Sequence, residues 1–446
     1  MKLPFPGIRS SAAARKEEEE KKSSSGTDSA SRSRTRNNSG TKASSSNPAG
    51  GLAALGKAFM QFASTDTGKA VISGALTTGA GFAYDKVVFS RYERPDYRTK
   101  PGVYCFERVT NGMPRKEVDF PSDGVMLRGY FYQNKNPKGL VVVCHGIHSG
   151  SDDYLPITCY MWENGFDVFS FNYRGTYESQ GEGTRGMSES LVDLDHALTY
   201  LENIPQYSSM PIMLVGHSWG GFAVSSVLSL HTSVRACAVI SGFNSGYTMI
   251  EEKGKEYTDG KLGQGLGNVV KGIDEMVDNP YVKMFAGLTD LALNSPAMSK
   301  PFLDSHQSKL FGDYVNYTGV MGINNSGIPV LVAHGNRDMV ISINHQSIFA
   351  HKDEITNPNV IWYTGTGSQS GHDTIWHSDR ANQYQDLIKR ELKAMEKTKG
   401  RELTDEEKAN YVSGIDHEKY SEINYELFDK IIEMFNKVSK RSKLKN

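Results

Sequence analysis

The apolar residues of this chain fall into short solid runs separated by longer striped stretches. Residues 140–144, 168–171, 212–215, 236–240, 330–333 and 360–363 are almost wholly β-branched or otherwise apolar. Runs of that kind mark strands covered on both faces. Ahead of them, 118–120 and 126–132 flank the turn signal Ser122-Asp123-Gly124 and predict an antiparallel hairpin. Residues 188–204 place Leu191, Leu194, Leu198 and Leu201 on one helical face, with Asp193 and Asp195 assigned to the other. Strands alternating with helices predict an α/β fold, a mostly parallel eight-stranded sheet with flanking helices.

Two segments interrupt the alternation. Residues 247–327 are too long for an ordinary connection and carry stripes such as Leu262, Leu266, Val269 and Ile273, so they predict an inserted helical cap. Residues 379–420 predict a charged helical insertion with a capping box at Thr404 and Glu407. A last helix presents Phe428, Ile431, Ile432 and Phe435 as a core-facing stripe. The main domain is thereby set at 116–440, after an N-terminal helical extension and linker at 51–115.

Composition changes the picture mainly at the N-terminus. Residues 1–50 hold 12 serines and ten Lys/Arg against five Asp/Glu, with one leucine and one phenylalanine. Such a stretch buries too little apolar surface to offset the entropy of ordering and predicts a disordered Ser/Arg-rich tail. Over all 446 residues the net charge is -1, which excludes a globally basic nucleic-acid binder. Four cysteines in a chain of this length do not form a disulfide scaffold and fit a reducing, cytoplasmic location. No apolar core follows Met1 to make a secretory signal. Residues 70–84 are the one membrane candidate, fifteen residues rich in Gly and Thr, where a span needs ~20 apolar ones. The stretch 51–92 therefore reads as a packed helical hairpin or a weak membrane-surface anchor.

The chemistry concentrates at Gly216-His217-Ser218-Trp219-Gly220-Gly221, directly after the run 212–215 and before a helical run from Phe222. G-x-S-x-G at a strand-to-helix junction raises a serine above the sheet on a turn too tight for side chains at Gly216 and Gly220. A serine N-cap on an ordinary glycine-rich turn would look similar, but leaves two further signals unexplained. A serine hydroxyl needs a base, and the base an orienting carboxylate. Asp338 follows the run 330–333, and His372 follows the run 360–363. Ser218, Asp338 and His372 thus arrive in the order nucleophile, acid, histidine, each at the carboxyl end of an expected strand, where open parallel sheets bind ligands. Asp373 is a weaker rival for the acid, as are Glu251 and Glu252. His334 reads as a structural loop histidine beside the acid, and His377 as exposed.

An oxyanion hole requires backbone N–H groups from the residue after the nucleophile, Trp219, and from the loop after an early strand. His145-Gly146-Ile147-His148 follows 140–144, and Ile147 is the candidate second donor. His145 and His148 lack a third ligand at metal spacing. No metal and no cofactor are expected.

Together these residues resemble the α/β-hydrolase superfamily over roughly 116–440. Within it the chain is most similar to the serine-aminopeptidase-type branch that includes monoacylglycerol lipases and lysophospholipases. The likeness rests on His145-Gly146 with His148-Ser149 and Tyr154, on Phe171-Asn172-Tyr173-Arg174-Gly175, and on Gly216 to Gly221. It implies Ser218 as nucleophile, Asp338 as acid, His372 as base, Ile147 and Trp219 as oxyanion donors, and a cap between the sixth and seventh strands. Asn172 departs from the family's usual Asp, and Thr176-Tyr177-Glu178 replaces a compact His-Gly. The expected activity is hydrolysis of small-molecule acyl esters, acylglycerol- or lysophospholipid-like, through an acyl-enzyme. Amide hydrolysis by a peptidase is the enzymatic alternative, and a non-catalytic binding protein that kept the fold is the other.

Overall fold

The computed structural model describes residues 89–102, 104–109, 111–246, 249 and 307–443. The Ser/Arg-rich stretch, the membrane candidate and most of the expected cap lie outside them.

Eight strands form one sheet: β1 (Lys116–Ser122), β2 (Val125–Tyr132), β3 (Leu140–Cys144), β4 (Asp167–Phe171), β5 (Ile212–His217), β6 (Val234–Ile240), β7 (Val330–Gly335) and β8 (Val360–Gly365). Their order is β1-β2-β4-β3-β5-β6-β7-β8. The opening hairpin pairs antiparallel and β2 meets β4 antiparallel, while every pairing from β4 to β8 is parallel. All residues of β3, β4, β5 and β7 are buried, as solid apolar runs require. Side chains alternate between two cores. Val142, Cys144 and Leu214 face the helices Glu189–Glu202 and Trp219–Ser226. Val141, Val143, Met213 and Val215 face the helices Leu155–Glu163 and Tyr425–Lys443. The stripe Phe428, Ile431, Ile432 and Phe435 is buried on that second side.

The structure redraws several expectations. Asp193 does not face solvent: it is fully buried, and its carboxylate accepts from the Arg174 N–H at 2.7 Å and the Ser122 hydroxyl at 2.6 Å. A polar residue on a helix is placed outward by its type alone, but here two donors compensate its burial. Residues 319–326, assigned to the cap, form the helix Gly319–Ser326, which packs on the helix Trp219–Ser226. Its Gly322 lies so close to Ser225 that a Cβ would stand 1.9 Å from the carbonyl oxygen.

The described residues of 89–115, expected to be helical extension and linker, contain one short 3-10 turn, Phe106–Arg108. It is clamped onto the domain instead. Phe89 joins the first core, Tyr92 bridges to Thr176, and Arg94 reaches Glu178 at 2.9 Å and Asp152 at 2.8 Å. The charged region does form helices, Asp379–Lys399, Asp405–Val412 and His417–Tyr420. In its capping box the Thr404 side chain accepts from the Glu407 N–H, and Glu407 accepts from the Thr404 N–H at 2.8 Å. Among the described residues no helix is long and apolar enough to cross a membrane.

Candidate active site

The turn from β5 into the helix Trp219–Ser226 is built on backbone contact. A Cβ on Gly216 would sit 2.3 Å from the Gly220 oxygen, and one on Gly220 would sit 2.3 Å from the Cys144 oxygen. Neither position admits alanine without moving main chain. Ser218, between them, adopts φ 57 and ψ -116, a conformation that L side chains avoid. Strain of this kind costs on the order of 1–3 kcal/mol and persists where the surroundings over-determine it. Here the Ser218 N–H is also fixed by the Ile240 carbonyl at 2.9 Å.

The three residues singled out from their spacing converge. His372 Nε2 lies 2.8 Å from Ser218 Oγ, and His372 Nδ1 lies 2.7 Å from Asp338 Oδ2. All three are buried. The other carboxylate oxygen of Asp338 accepts the N–H groups of Val340 and Ile341, both at 2.9 Å. Burial alone would raise this carboxyl, but the His372 ring and then His334 hold it well below the usual carboxylate range. It therefore stays ionised and fixes the proton of His372 on Nδ1, leaving Nε2 to accept from the serine hydroxyl. Asp373 does not compete: it is half-exposed and its nearest ring nitrogen is His217 Nε2, 3.8 Å away.

A second group of hydrogen bonds ties the loop after β3 to the nucleophile turn. The Gly146 N–H donates to the Tyr154 hydroxyl at 2.9 Å, and that hydroxyl meets His217 Nδ1 at 2.7 Å. His217 Nε2 meets the His372 carbonyl at 3.1 Å, and the Ser241 hydroxyl donates to the same carbonyl at 3.1 Å. A carbonyl only accepts, so the His217 proton is on Nε2 and Nδ1 takes the tyrosine proton. Burial, and after it the neighbouring His372 ring, pushes the His217 pKa down to about 4, consistent with this neutral wiring. Tyr154 thus links the residue before the nucleophile to the candidate oxyanion loop.

Ile147 is buried in that loop, and a Cβ on Gly146 would stand 3.4 Å from Ser218 Cβ. Trp219 opens the helix Trp219–Ser226, so its N–H is one of the donors that a helix leaves without an internal partner. The Trp219 indole is anchored away from the site, donating to the Met187 carbonyl at 2.6 Å. His217, His372 and Asp373 place ligand-type atoms within 4.8 Å of one another, yet both ring nitrogens of each histidine are engaged as above. His145 likewise donates from Nδ1 to the Gly146 carbonyl at 2.7 Å and accepts the Tyr173 N–H at Nε2 at 3.1 Å. These donor sets do not fit a metal.

His334 touches the acid, with Nε2 3.2 Å from Asp338 Oδ2 and 2.9 Å from the Ile341 carbonyl. His377, expected on the surface, is buried. Asn172 is also buried, accepting from the Ser151 N–H and hydroxyl and donating to Glu178 at 2.8 Å. The amide thus joins two loops through donor and acceptor together, which a carboxylate could not do. Sequence spacing missed the Tyr154–His217 link, although the pair His217 and Tyr154 both lie inside the family motifs.

A mostly parallel sheet with a serine turn after its fifth strand, an acid after the seventh and a histidine after the eighth is an α/β-hydrolase fold. Residues 135–250 match the model of the serine aminopeptidase family, S33, the branch that the motifs resemble. The protein YfhR of Escherichia coli (strain K12) is 26% identical over 145 residues, 31% of this chain and 50% of YfhR. YfhR of Salmonella typhi is 29% identical over 104 residues, 22% of this chain and 35% of that protein. The chain spans about half the length or less of these curated relatives. Among solved structures, an esterase of Pyrococcus furiosus is similar at 17% identity with a TM-score of 0.41, covering 64% of this chain and 93% of that one. The α/β hydrolase GrgF of a Penicillium species has 17% identity and a TM-score of 0.42, covering 64% and 99%.

Proposed function

We propose that this chain is a metal-independent serine hydrolase acting on carboxyl esters. The observation that carries the reading is the unbroken path from Ser218 Oγ through His372 to the ionised Asp338, at 2.8 and 2.7 Å. In the proposed reaction Ser218 Oγ attacks the acyl carbon while His372 Nε2 takes its proton. The N–H groups of Ile147 and Trp219 receive the oxyanion, and each such donor is worth about 3 kcal/mol of transition-state stabilisation. Collapse breaks the bond to the alcohol, which leaves with the proton from His372. Water, deprotonated by the same nitrogen, then hydrolyses the acyl-serine, releasing the acid and restoring the hydroxyl.

A fluorophosphonate is expected to label the wild type stoichiometrically and to leave Ser218→Ala unlabelled. Labelling that survives the substitution overturns the assignment. Amide hydrolysis is a second reading, favoured by the serine aminopeptidase description of the family matched over 135–250. A series of acyl esters run against aminoacyl amides separates the two, with ester turnover alone expected. An active, Ser218-dependent enzyme in either assay also rules out a purely non-catalytic binding role.

A further inference from the structure

The acid of the proposed triad is held by more groups than the triad itself uses. Asp338 Oδ1 accepts the Val340 and Ile341 N–H groups, both at 2.9 Å, and Oδ2 accepts from His372 Nδ1 at 2.7 Å. A second histidine meets that same Oδ2. His334 Nε2 lies 3.2 Å from it and 2.9 Å from the Ile341 carbonyl, and both side chains are fully buried. His334, expected in a loop, belongs to β7 and stands opposite Thr364 of β8. Its ring packs beside Phe349, centroids 6.0 Å apart, and Phe349 in turn meets Trp362 at 4.8 Å. Strand backbone and packed aromatic rings hold the imidazole in place.

The tautomer of His334 follows from its partners. A carbonyl only accepts, so Nε2 carries the ring proton. Nδ1 is buried and has no hydrogen-bond partner. A second proton there would be a donor without an acceptor, which is costly away from water. The ring is therefore neutral and turns the positive end of an N–H dipole toward Oδ2. Burial works to raise the Asp338 carboxyl, while the His372 ring and then His334 hold it down. A dipole that stabilises the carboxylate also weakens the field that the carboxylate exerts on His372. Two other titratable groups stand near the His372 ring: His217 of β5, with ring centroids 4.9 Å apart, and the half-exposed Asp373. His334 acts instead on the buried carboxylate.

We propose that His334 is a positioning residue that fixes the Asp338 carboxylate and keeps His372 a weaker base than an Asp–His pair without this second donor would be. The inference rests on the serine-hydrolase reading above. No bond is made or broken at His334. Through the Ile341 carbonyl it closes the loop 338–341, whose N–H groups hold Oδ1. An imidazole whose protonated form is less stabilised is free to take the serine proton at lower pH, so His334 extends activity toward acid.

The test compares the pH dependence of kcat/KM for ester turnover by the full-length wild type, His334→Phe and His334→Gln. The acid limb reports the base of the free enzyme. His334→Phe is expected to move that limb up by about one pH unit, the tenfold change in proton affinity that one hydrogen bond to a charged group supports. His334→Gln keeps an N–H donor and is expected to return the limb to its wild-type position. A limb unmoved in His334→Phe, with only Tm lowered, is the mark of a merely structural role and overturns the proposal. So does a limb moved equally by His334→Gln. Nitrogen-15 NMR of the histidine rings in the Ser218→Ala background gives a reading independent of turnover. There His334, assigned by its loss in His334→Gln, is expected as the neutral Nε2–H tautomer, and His372 is expected to titrate about one pH unit higher in His334→Phe. An Nδ1–H tautomer of His334 cannot donate to Asp338 and overturns the proposal even where His334→Phe fails to fold. Absence of ester turnover in the wild type counts against the hydrolase reading, and the NMR titration then decides the role of His334.

Discussion

The surroundings of Ser218 and those of Trp376 both include Tyr154, yet their buried polar atoms stand in opposite states. Around Ser218, the ring nitrogens of His145, His217 and His372 all have protein partners. Around Trp376 three buried polar atoms, the Tyr104 hydroxyl, Trp376 Nε1 and His377 Nε2, have none. The first arrangement fixes tautomers and orientation before a substrate arrives, which is what lets dipoles act on a developing charge without reorganising. The second leaves buried hydrogen-bonding capacity unmet, a desolvation cost that the surrounding packing has to offset.

The largest expected effect breaks the prepared site. Asp338→Asn replaces an ionised acceptor with an amide that can hold the wrong tautomer of His372. On the proposed mechanism kcat falls about 10⁴-fold, read by ester turnover, with the fold unchanged by circular dichroism. An effect under tenfold would mean that the carboxylate is not the orienting group.

Next comes Gly220→Ala, whose Cβ would stand 2.3 Å from the Cys144 carbonyl oxygen and 2.8 Å from that of His145. Backbone cannot yield as a side-chain tip can, so a loss of about 3 kcal/mol is expected, seen as a lower Tm. An unchanged Tm would refute the tight packing of the turn.

Acid sharpens the comparison at a smaller scale. His145, His217 and His377 are each depressed to about 4, chiefly by burial. A base with a depressed folded pKa contributes stability that is present above its unfolded value near 6.5 and is lost as pH falls towards 4. Asp153 and Asp193, raised to about 6 mainly by burial, act in the opposite direction. The histidine contribution is therefore isolated by a variant. His377→Gln should lose less stability than wild type between pH 7 and 5, by on the order of 2 kcal/mol. Parallel Tm–pH curves would contradict it.

The smallest effect tests the link between the loops. Tyr154→Phe leaves the buried Gly146 N–H and His217 Nδ1 without their shared hydroxyl. About a tenfold fall in kcat with little change in KM is expected, equal to one lost buried hydrogen bond. A change confined to KM would assign Tyr154 to substrate binding instead.

The parts of this molecule legible in its sequence are those governed by local rules. Solid runs became the interior strands, and the glycines flanking Ser218 announced a turn that admits no side chain. Ser218, Asp338 and His372 can be paired from the sequence because each follows a strand on one edge of a parallel sheet. Residues placed by distant partners were illegible. Asp193 is buried because an N–H nineteen positions away and a hydroxyl seventy-one positions away accept its company. The segment 89–115 looked like linker because its anchors, Arg91 and Arg94, are charged. Arg91 donates to the Ser179 carbonyl, 88 residues on, and Arg94 to the Glu178 carboxylate, 84 residues on. His377 was assigned to the surface by residue type, while the walls that cover it come from chain segments far apart.

The four cysteines have a practical consequence. Cys105, Cys144, Cys159 and Cys237 are all free and buried, and burial raises each thiol, Cys105 to about 11 and Cys144 and Cys159 to about 12. Since the thiolate is the reactive species, the folded chain offers maleimide almost no target, whereas the unfolded chain offers four. Thiol labelling therefore reports opening of the core itself, and a single cysteine introduced on the surface would carry a spectroscopic probe without removing any native one.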